Sequence, residues 1–276
     1  MRKTVLFSDL DGSLLDPVSY SFDAAREALE AVRARNIPLV LATSKTRAEI
    51  EPIRWRLEHH DPFVVENGGA IFIPHGMFTV PLPDARVRGP YQVIELGAPY
   101  DRLRAALKEL AATLGCEVRG FGDMSAQEIA RRTGLTEPEA LAARQREYDE
   151  PFVIEGTAPT LAELQRLAAA RGLTCTRGGR FYHLMGGTDK GLACRLLVDV
   201  YRRQYANDGG TLLTIGIGDS LNDLPMLRAV DRPILVQQPG GTFDPGVELP
   251  NLTRERGIGP EGWNRTVLQL LADGLP

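Results

Sequence analysis

The stretch Val5-Leu6-Phe7-Ser8-Asp9-Leu10-Asp11-Gly12-Ser13-Leu14-Leu15 decides the fold. Its apolar opening, Val5 to Phe7, suits a strand covered on both faces, because β-branched and aromatic side chains fit a buried pleated surface and the glycine then breaks the run. Asp9 and Asp11 therefore fall where a strand ends. Ligands bind at that edge of an open α/β sheet, and two carboxylates two residues apart can divide the work at one reacting centre. One suits a nucleophile or metal ligand, the other a proton donor. An Asx-turn closing an ordinary strand is the plainer alternative, since Asp and Gly are common turn residues.

Downstream, Ser21 is expected to cap a helix running to about Asn36, with Ala25, Leu29 and Val32 on one face. Ile37 to Ala42 reads as a second buried strand ending in Thr43-Ser44. Strand, helix and strand at this spacing form a parallel crossover, which brings both strand ends to the same edge and Thr43 or Ser44 towards Asp9. Thr46-Arg47-Ala48-Glu49 is a capping box, so the hydroxyls ahead of it are free for other work. The helix it opens ends near His59-His60, two histidines that read as solvated. A strand from Phe63 to Val65 leads into Glu66-Asn67-Gly68-Gly69, a tight turn before Ala70 to Ile73, since Asn-Gly tolerates positive φ. Asn67 faces the site on one reading, and a turn role explains it equally well.

From Pro74 to Arg88 proline, glycine and polar residues break the periodicity as a linker would. A separate α/β segment follows. Val93 to Glu95 reads as a strand and Tyr100 to Leu114 as a helix; capping boxes at Ser125 and Thr136 open two more, and Leu161 to Arg171 lies between strands Phe152 to Ile154 and Leu173 to Thr176. After Gly186-Gly187 the first sheet resumes, with Thr188 expected to cap a helix to Tyr205. Lys190 sits in its first turn, where the positive helix end disfavours a lysine unless an anion lies nearby. Leu212 to Ile217 is a strand ending in Gly218-Asp219-Ser220-Leu221-Asn222-Asp223. One of Asp219 and Asp223 would serve to cap the helix Leu224 to Ala229; both, with Asn222, exceed what a cap needs. Ile234 to Val236 and a helix from Trp263 to Leu271 close the fold.

With 276 residues and 43% apolar content the chain can build a proper core. No apolar run approaches the ~18 residues of a bilayer span, and the first strand begins too early for a secretory signal, which predicts a cytoplasmic protein without a membrane partner. Cys116, Cys175 and Cys194 are scattered and suggest neither a disulfide framework nor a zinc site. A net charge of −4 argues against a nucleic-acid partner, so an anionic small molecule must be held by a local cluster. Lysine is scarce, with arginine supplying 28 of the 32 basic residues, which makes Lys190 beside a glycine-rich loop stand out. The sequence leaves a homodimer open.

Acidic residues with no histidine or cysteine beside them suit a hard divalent cation, and magnesium takes a few carboxylates together with substrate phosphate and water. A lysine and a hydroxyl at the same edge supply positive charge and a donor for phosphoryl oxygens, so the pattern points to phosphoryl transfer.

The Asp9 and Asp11 pair, the strand-end Thr43, Lys190 and the run Gly218 to Asp223 occur in the order of the four motifs of the haloacid dehalogenase (HAD) superfamily of phosphatases, which the chain resembles. The resemblance implies an α/β fold: a Rossmann-like core with a mainly parallel sheet, formed by residues 1–83 and 187–276, and an inserted α/β cap of the C2B type over residues 84–186, as in the Cof-like subfamily. Within that subfamily the stretches ATSKT (42–46), REYDEPF (146–152) and GGRFYHLMGG (178–187) resemble mannosyl-3-phosphoglycerate phosphatases, whose near relatives act on glucosyl-3-phosphoglycerate. Cof-like chains often carry Thr-Gly-Arg where this one has Thr43-Ser44-Lys45, so either hydroxyl suits the phosphate, with Thr43 preferred. By the same resemblance Asp9 is the nucleophile and Asp11 the acid and base. The resemblance further implies that Mg2+ would be held by Asp9, the Asp11 carbonyl and Asp219 with Asp223 in support, that Lys190 and Thr43 would hold phosphoryl oxygens, and that the substrate would be a small phosphorylated glycoside on the route to a compatible solute. Its carboxylate calls for a cation. Of Arg131, Arg132, Arg144, Arg177 and Arg180, most read as solvated, and Arg180, His183 and Glu150 are the candidates for substrate contact, together with Asn67 and Asn222.

Overall fold

The computed structural model describes residues 2–156, 159–178, 181–207 and 209–275. In chain order the first part holds β1 (Arg2–Ser8), α1 (Arg26–Ala34), β2 (Leu39–Ala42), α2 (Arg47–Arg56), β3 (Phe63–Val65), β4 (Ala70–Pro74), β5 (Arg86–Arg88) and β6 (Tyr91–Glu95). The middle part holds α3 (Tyr100–Leu114), β7 (Glu117–Gly120), α4 (Ala126–Thr133), α5 (Glu137–Ala143), β8 (Asp149–Glu155), α6 (Leu161–Ala169), β9 (Leu173–Gly178) and β10 (Phe181–Gly186). The last part holds α7 (Lys190–Asn207), β11 (Thr211–Gly218), α8 (Leu224–Leu227), β12 (Arg232–Gln237), β13 (Thr253–Ile258) and α9 (Pro260–Ala272).

Nine strands form one sheet in the order β13-β12-β11-β1-β2-β3-β4-β6-β5. From β13 to β3 neighbours run parallel, and β4, β6 and β5 are added antiparallel. Residues of β1 alternate between two cores as a pleated strand must. Leu6 packs with Leu29, Ile50, Trp263 and Val267 on the side of α1, α2 and α9. Val5 and Phe7 pack with Cys194, Leu197 and Met226 on the side of α7 and α8. Each such fully buried apolar side chain contributes about 1.5–3 kcal/mol relative to exposure. Both faces being covered explains why β1 reads as an unbroken apolar run rather than an alternating one.

A second, antiparallel sheet has the order β7-β8-β10-β9. Leu103, Leu107 and Leu110 of α3 and Leu164 of α6 cover one of its faces, meeting Phe152 and Leu184. This inserted unit joins the large sheet through two adjacent passages. A Cβ placed on Gly186 would lie 2.5 Å from the Ala98 nitrogen.

Several expectations are corrected. β5 and β6 extend the large sheet, so residues 84–95 belong with it and the first domain boundary falls near Leu96, not at 83/84. The polar text before β5 hid the boundary because β5 is an exposed edge strand. Ser21 does not cap an α-helix: its Oγ accepts the Asp23 N–H (3.0 Å) at a short 3-10 turn, and α1 begins three residues later without a side-chain cap. Asp189, not Thr188, caps α7, its Oδ1 accepting the Leu192 N–H at 2.7 Å. The Thr188 hydroxyl donates instead to the Gly68 carbonyl (2.8 Å). His59 is buried, not solvated: its Nε2 lies 2.6 Å from the Leu39 carbonyl and its Nδ1 accepts from Arg54 Nε at 3.0 Å. Among the described residues no helix is long and apolar enough to cross a membrane.

Candidate active site

The carboxyl ends of β1, β2 and β11 meet the amino end of α7. β1 and β11 pair in parallel from Arg2 with Thr211 to Ser8 with Ile217, and the Asp9 N–H continues the ladder to the Ile217 carbonyl (3.0 Å). Asp9 is therefore fixed at the sheet edge, almost fully buried. Lys190, the first residue of α7, reaches it across the edge, with Nζ 2.6 Å from Asp9 Oδ1 and 2.7 Å from Asp223 Oδ1. The other Asp223 oxygen accepts the N–H groups of Asp219 (3.1 Å) and Ser220 (3.2 Å), which holds the loop after β11 in shape. Asp219 takes the Ser13 hydroxyl on Oδ1 (3.2 Å) and the Gln238 amide on Oδ2 (3.4 Å). Gly12 turns beneath it with φ +81°, and a Cβ there would sit 3.0 Å from Asp219 Oδ2. Any side chain at that turn would be both strained and obstructive.

One oxygen from each of Asp9, Asp219 and Asp223 lies within 4.8 Å of the others. Burial raises the pKa of Asp9 well above the ordinary carboxylate range, and the nearby charge of Asp223 adds to this. Burial, then Asp223, pushes Asp219 up to about 7. Lys190 is pulled down by burial, but Asp223 and Asp9 outweigh that and raise it. Three carboxylates in a dry place exceed what one ammonium can neutralise, and the donor set is oxygen alone. That chemistry fits a hard cation of the magnesium type.

The remaining expected residues are placed as follows. The Asp11 carboxylate stands outside this cluster, 3.0 Å from Lys45 Nζ, which itself lies 4.9 Å from the Tyr20 ring centre. Thr43 is fully buried, its Oγ1 accepting the Lys45 N–H (3.1 Å), whereas Ser44 lines a cavity of about 590 Å³ above Lys190. Asn67 and Asn222 also line it from the large-sheet side, and Thr176, Arg177 and His183 from the inserted unit. Arg180 lies outside the described residues. Glu150 is a correction. It stands on the helix-covered face of β8, paired across to Leu184, where Arg104 (2.6 Å), the Tyr100 hydroxyl and the Gly122 N–H (3.3 Å) hold its carboxylate away from the cavity.

Its neighbour Asp149 faces the other way and was not singled out from the sequence. Fully buried, it receives His183 Nδ1 at 2.8 Å and lies 3.5 Å from both Arg146 Nη1 and Asn67 Nδ2. Glu66 was also missed. Burial pushes it up to about 7, against the pull of Arg146 and of backbone N–H groups. The signal for Asp149 was in the period of two, which puts one member of Asp149-Glu150 on each face without saying which.

The haloacid dehalogenase-like hydrolase family matches residues 6–84. Over its whole length the chain is similar to a glucosyl-3-phosphoglycerate/mannosyl-3-phosphoglycerate phosphatase of Methanococcoides burtonii, with 46% identity over 269 residues, 98% of this chain and 97% of the relative. A mannosyl-3-phosphoglycerate phosphatase of Pyrococcus furiosus is 36% identical over 232 residues, 84% of this chain and 90% of the relative. Among solved structures, a HAD-superfamily phosphatase from Bacteroides thetaiotaomicron superposes with a TM-score of 0.67 at 19% identity, covering 99% of this chain and 96% of that one.

Proposed function

Because the chain belongs to the glucosyl-3-phosphoglycerate/mannosyl-3-phosphoglycerate phosphatases, within the haloacid dehalogenase-like hydrolases, we propose that it hydrolyses mannosyl-3-phosphoglycerate to mannosylglycerate and phosphate. The observation that carries this reading is Lys190 bridging Asp9 and Asp223 beside Asp219, at the floor of a cavity that a second domain walls. The relatives' names make glucosyl-3-phosphoglycerate the second substrate to consider.

In the first step an Asp9 oxygen attacks phosphorus, the bond from phosphorus to the glycerate oxygen breaks, and Asp11 gives that oxygen its proton. An aspartyl-phosphate and the free glycoside result. In the second step Asp11 takes a proton from water, the water oxygen attacks phosphorus, and Asp9 leaves with phosphate released. Splitting one hard displacement into two is the advantage of covalent catalysis, and one carboxyl group serves both proton transfers. Asp9 must be ionised to attack, and its burial opposes this, so the ammonium of Lys190 is needed at 2.6 Å. Lys190 and the hydroxyl of Thr43 or Ser44 take up the charge that spreads over the phosphoryl oxygens. Asp9 and Asp219, with Asp223 and the Asp11 carbonyl, would hold Mg2+, which when bound offsets the repulsion between nucleophile and phosphate. His183 and Arg177 on the cavity wall suit the glycerate carboxylate.

Phosphate release across mannosyl- and glucosyl-3-phosphoglycerate, free 3-phosphoglycerate and hexose phosphates tests this. We expect kcat/KM for the two glycosides to exceed that for the others by about tenfold or more, the worth of one or two extra contacts in the transition state. Equal turnover of hexose phosphates would overturn the substrate assignment, and full activity of Asp9→Asn the mechanism.

A further inference from the structure

Glu66 opens the turn between β3 and β4 with φ +48° and is 1% exposed. Its carboxylate does not point to the phosphoryl site. It accepts the N–H of Glu147 on both oxygens (3.0 and 3.2 Å) and those of Tyr148 (2.9 Å) and Asp149 (2.8 Å) on Oε2. Three consecutive N–H groups converging on one anion form a nest, a backbone arrangement specific for negative charge. These N–H groups lead into β8, the strand that carries Asp149, which in turn holds His183.

The other end of the same turn is fastened to the hydroxyl loop after β2. The Glu66 N–H donates to the Lys45 carbonyl and the Asn67 N–H to the Thr43 carbonyl, each at 3.0 Å. Arg146 closes the circuit from the opposite side, its Nη1 donating to the Ser44 carbonyl at 2.9 Å. The turn has no room to slide. A Cβ on Gly68, φ +98°, would lie 2.1 Å from the Asp189 carbonyl oxygen, against the start of the helix that presents Lys190.

Resting on the phosphatase reading above, we propose that Glu66 is a positioning residue: it sets the distance between the inserted domain's recognition wall, where the buried Asp149 holds His183, and the hydroxyl loop of Thr43 and Ser44. It thereby governs selection of the glycoside part of the substrate while taking no part in the phosphoryl chemistry. A glutamine at this position offers one acceptor oxygen and turns an amide donor towards a nest of donors. An aspartate keeps the charge and falls one methylene short.

The test compares wild type, Glu66→Gln and Glu66→Asp on mannosyl-3-phosphoglycerate and on p-nitrophenyl phosphate, whose aryl group needs no wall. In Glu66→Gln, kcat/KM for the glycoside should fall about 10- to 100-fold, chiefly through KM, as displacing a binding group by about 1 Å costs. Turnover of p-nitrophenyl phosphate should change less than about 3-fold, and Glu66→Asp should lose less than Glu66→Gln on the glycoside. A parallel fall on both substrates, or no fall on either, overturns the proposal. Should Glu66→Gln not fold, Glu66→Asp decides alone by the same contrast. A wild-type enzyme that ignores the glycoside would count against the substrate reading instead, and Glu66 would then be judged on whichever substrate the wild type prefers.

Discussion

A buried histidine with both ring nitrogens engaged has no room for a second proton. His59 accepts Arg54 Nε on Nδ1 and donates from Nε2 to the Leu39 carbonyl, so it is neutral in the folded chain. Burial, and then the Arg54 charge, pull its pKa down to about 3, while in the unfolded chain it titrates at the ordinary 6.5. Between these values the unfolded state binds the extra proton. Stability is therefore unaffected by His59 above about pH 6.5 and is lost as pH falls towards about 3, by up to about 1.4 kcal/mol per pH unit. Urea unfolding between pH 7 and pH 4 should show a shallower decline in His59→Gln than in wild type; parallel declines would show that other groups govern it. The residues whose convergence was legible, Asp9, Lys190, Asp219 and Asp223, announce themselves locally as acid or base at a strand or helix end. His59, Glu66 and Asp149 did not, because each gains its role from atoms far along the chain: Glu66 from residues more than 80 positions away.

Elements were legible where one period dominated. α3 has the bounds read for it, Tyr100 to Leu114, and the capping box at Thr46 opens α2 as expected. Strands at an edge were not: β13 reads Thr-Arg-Glu-Arg-Gly-Ile, and β7 is half-exposed, so neither shows the apolar run of a covered strand. The Thr46 box also does something that its sequence pattern does not disclose. Besides accepting the Glu49 N–H (3.1 Å), its hydroxyl donates to the Ala142 carbonyl of α5 (3.0 Å), pinning the inserted domain to α2. Thr46→Ala should cost about 1–2 kcal/mol, and Thr46→Ser should recover most of it. Urea midpoints check this, and a serine variant no better than alanine would mean that the methyl group rather than the hydroxyl matters.

For the whole molecule, a cation held by the acidic cluster of Asp9, Asp219 and Asp223 would couple folding to metal. A cation that binds only the folded chain adds about 2.7 kcal/mol at 100 times its dissociation constant. The melting temperature should therefore rise with Mg2+ and fall back on EDTA, and the rise should vanish in Asp219→Asn. A melting curve indifferent to Mg2+ in wild type would remove the proposed ligand set. The overall architecture was legible because four polar strand and helix ends had to share one edge. What was not legible was the extent of the insertion, since β5 and β6 are joined to the large sheet only by pairing with β4.

That insertion leaves and returns at one spot, with Gly186 packed on Gly97 and Ala98, and both strands of traffic rest on the same turn: Leu96 and Gly97 on the Gly69 carbonyl (2.9 and 2.8 Å), Thr188 on that of Gly68 (2.8 Å). A module whose chain crosses at a single doorway can be remodelled at its far end, provided that the clasps reaching the loops below, from Thr46 to Ala142 and from Glu66 to Glu147, Tyr148 and Asp149, are left as they are.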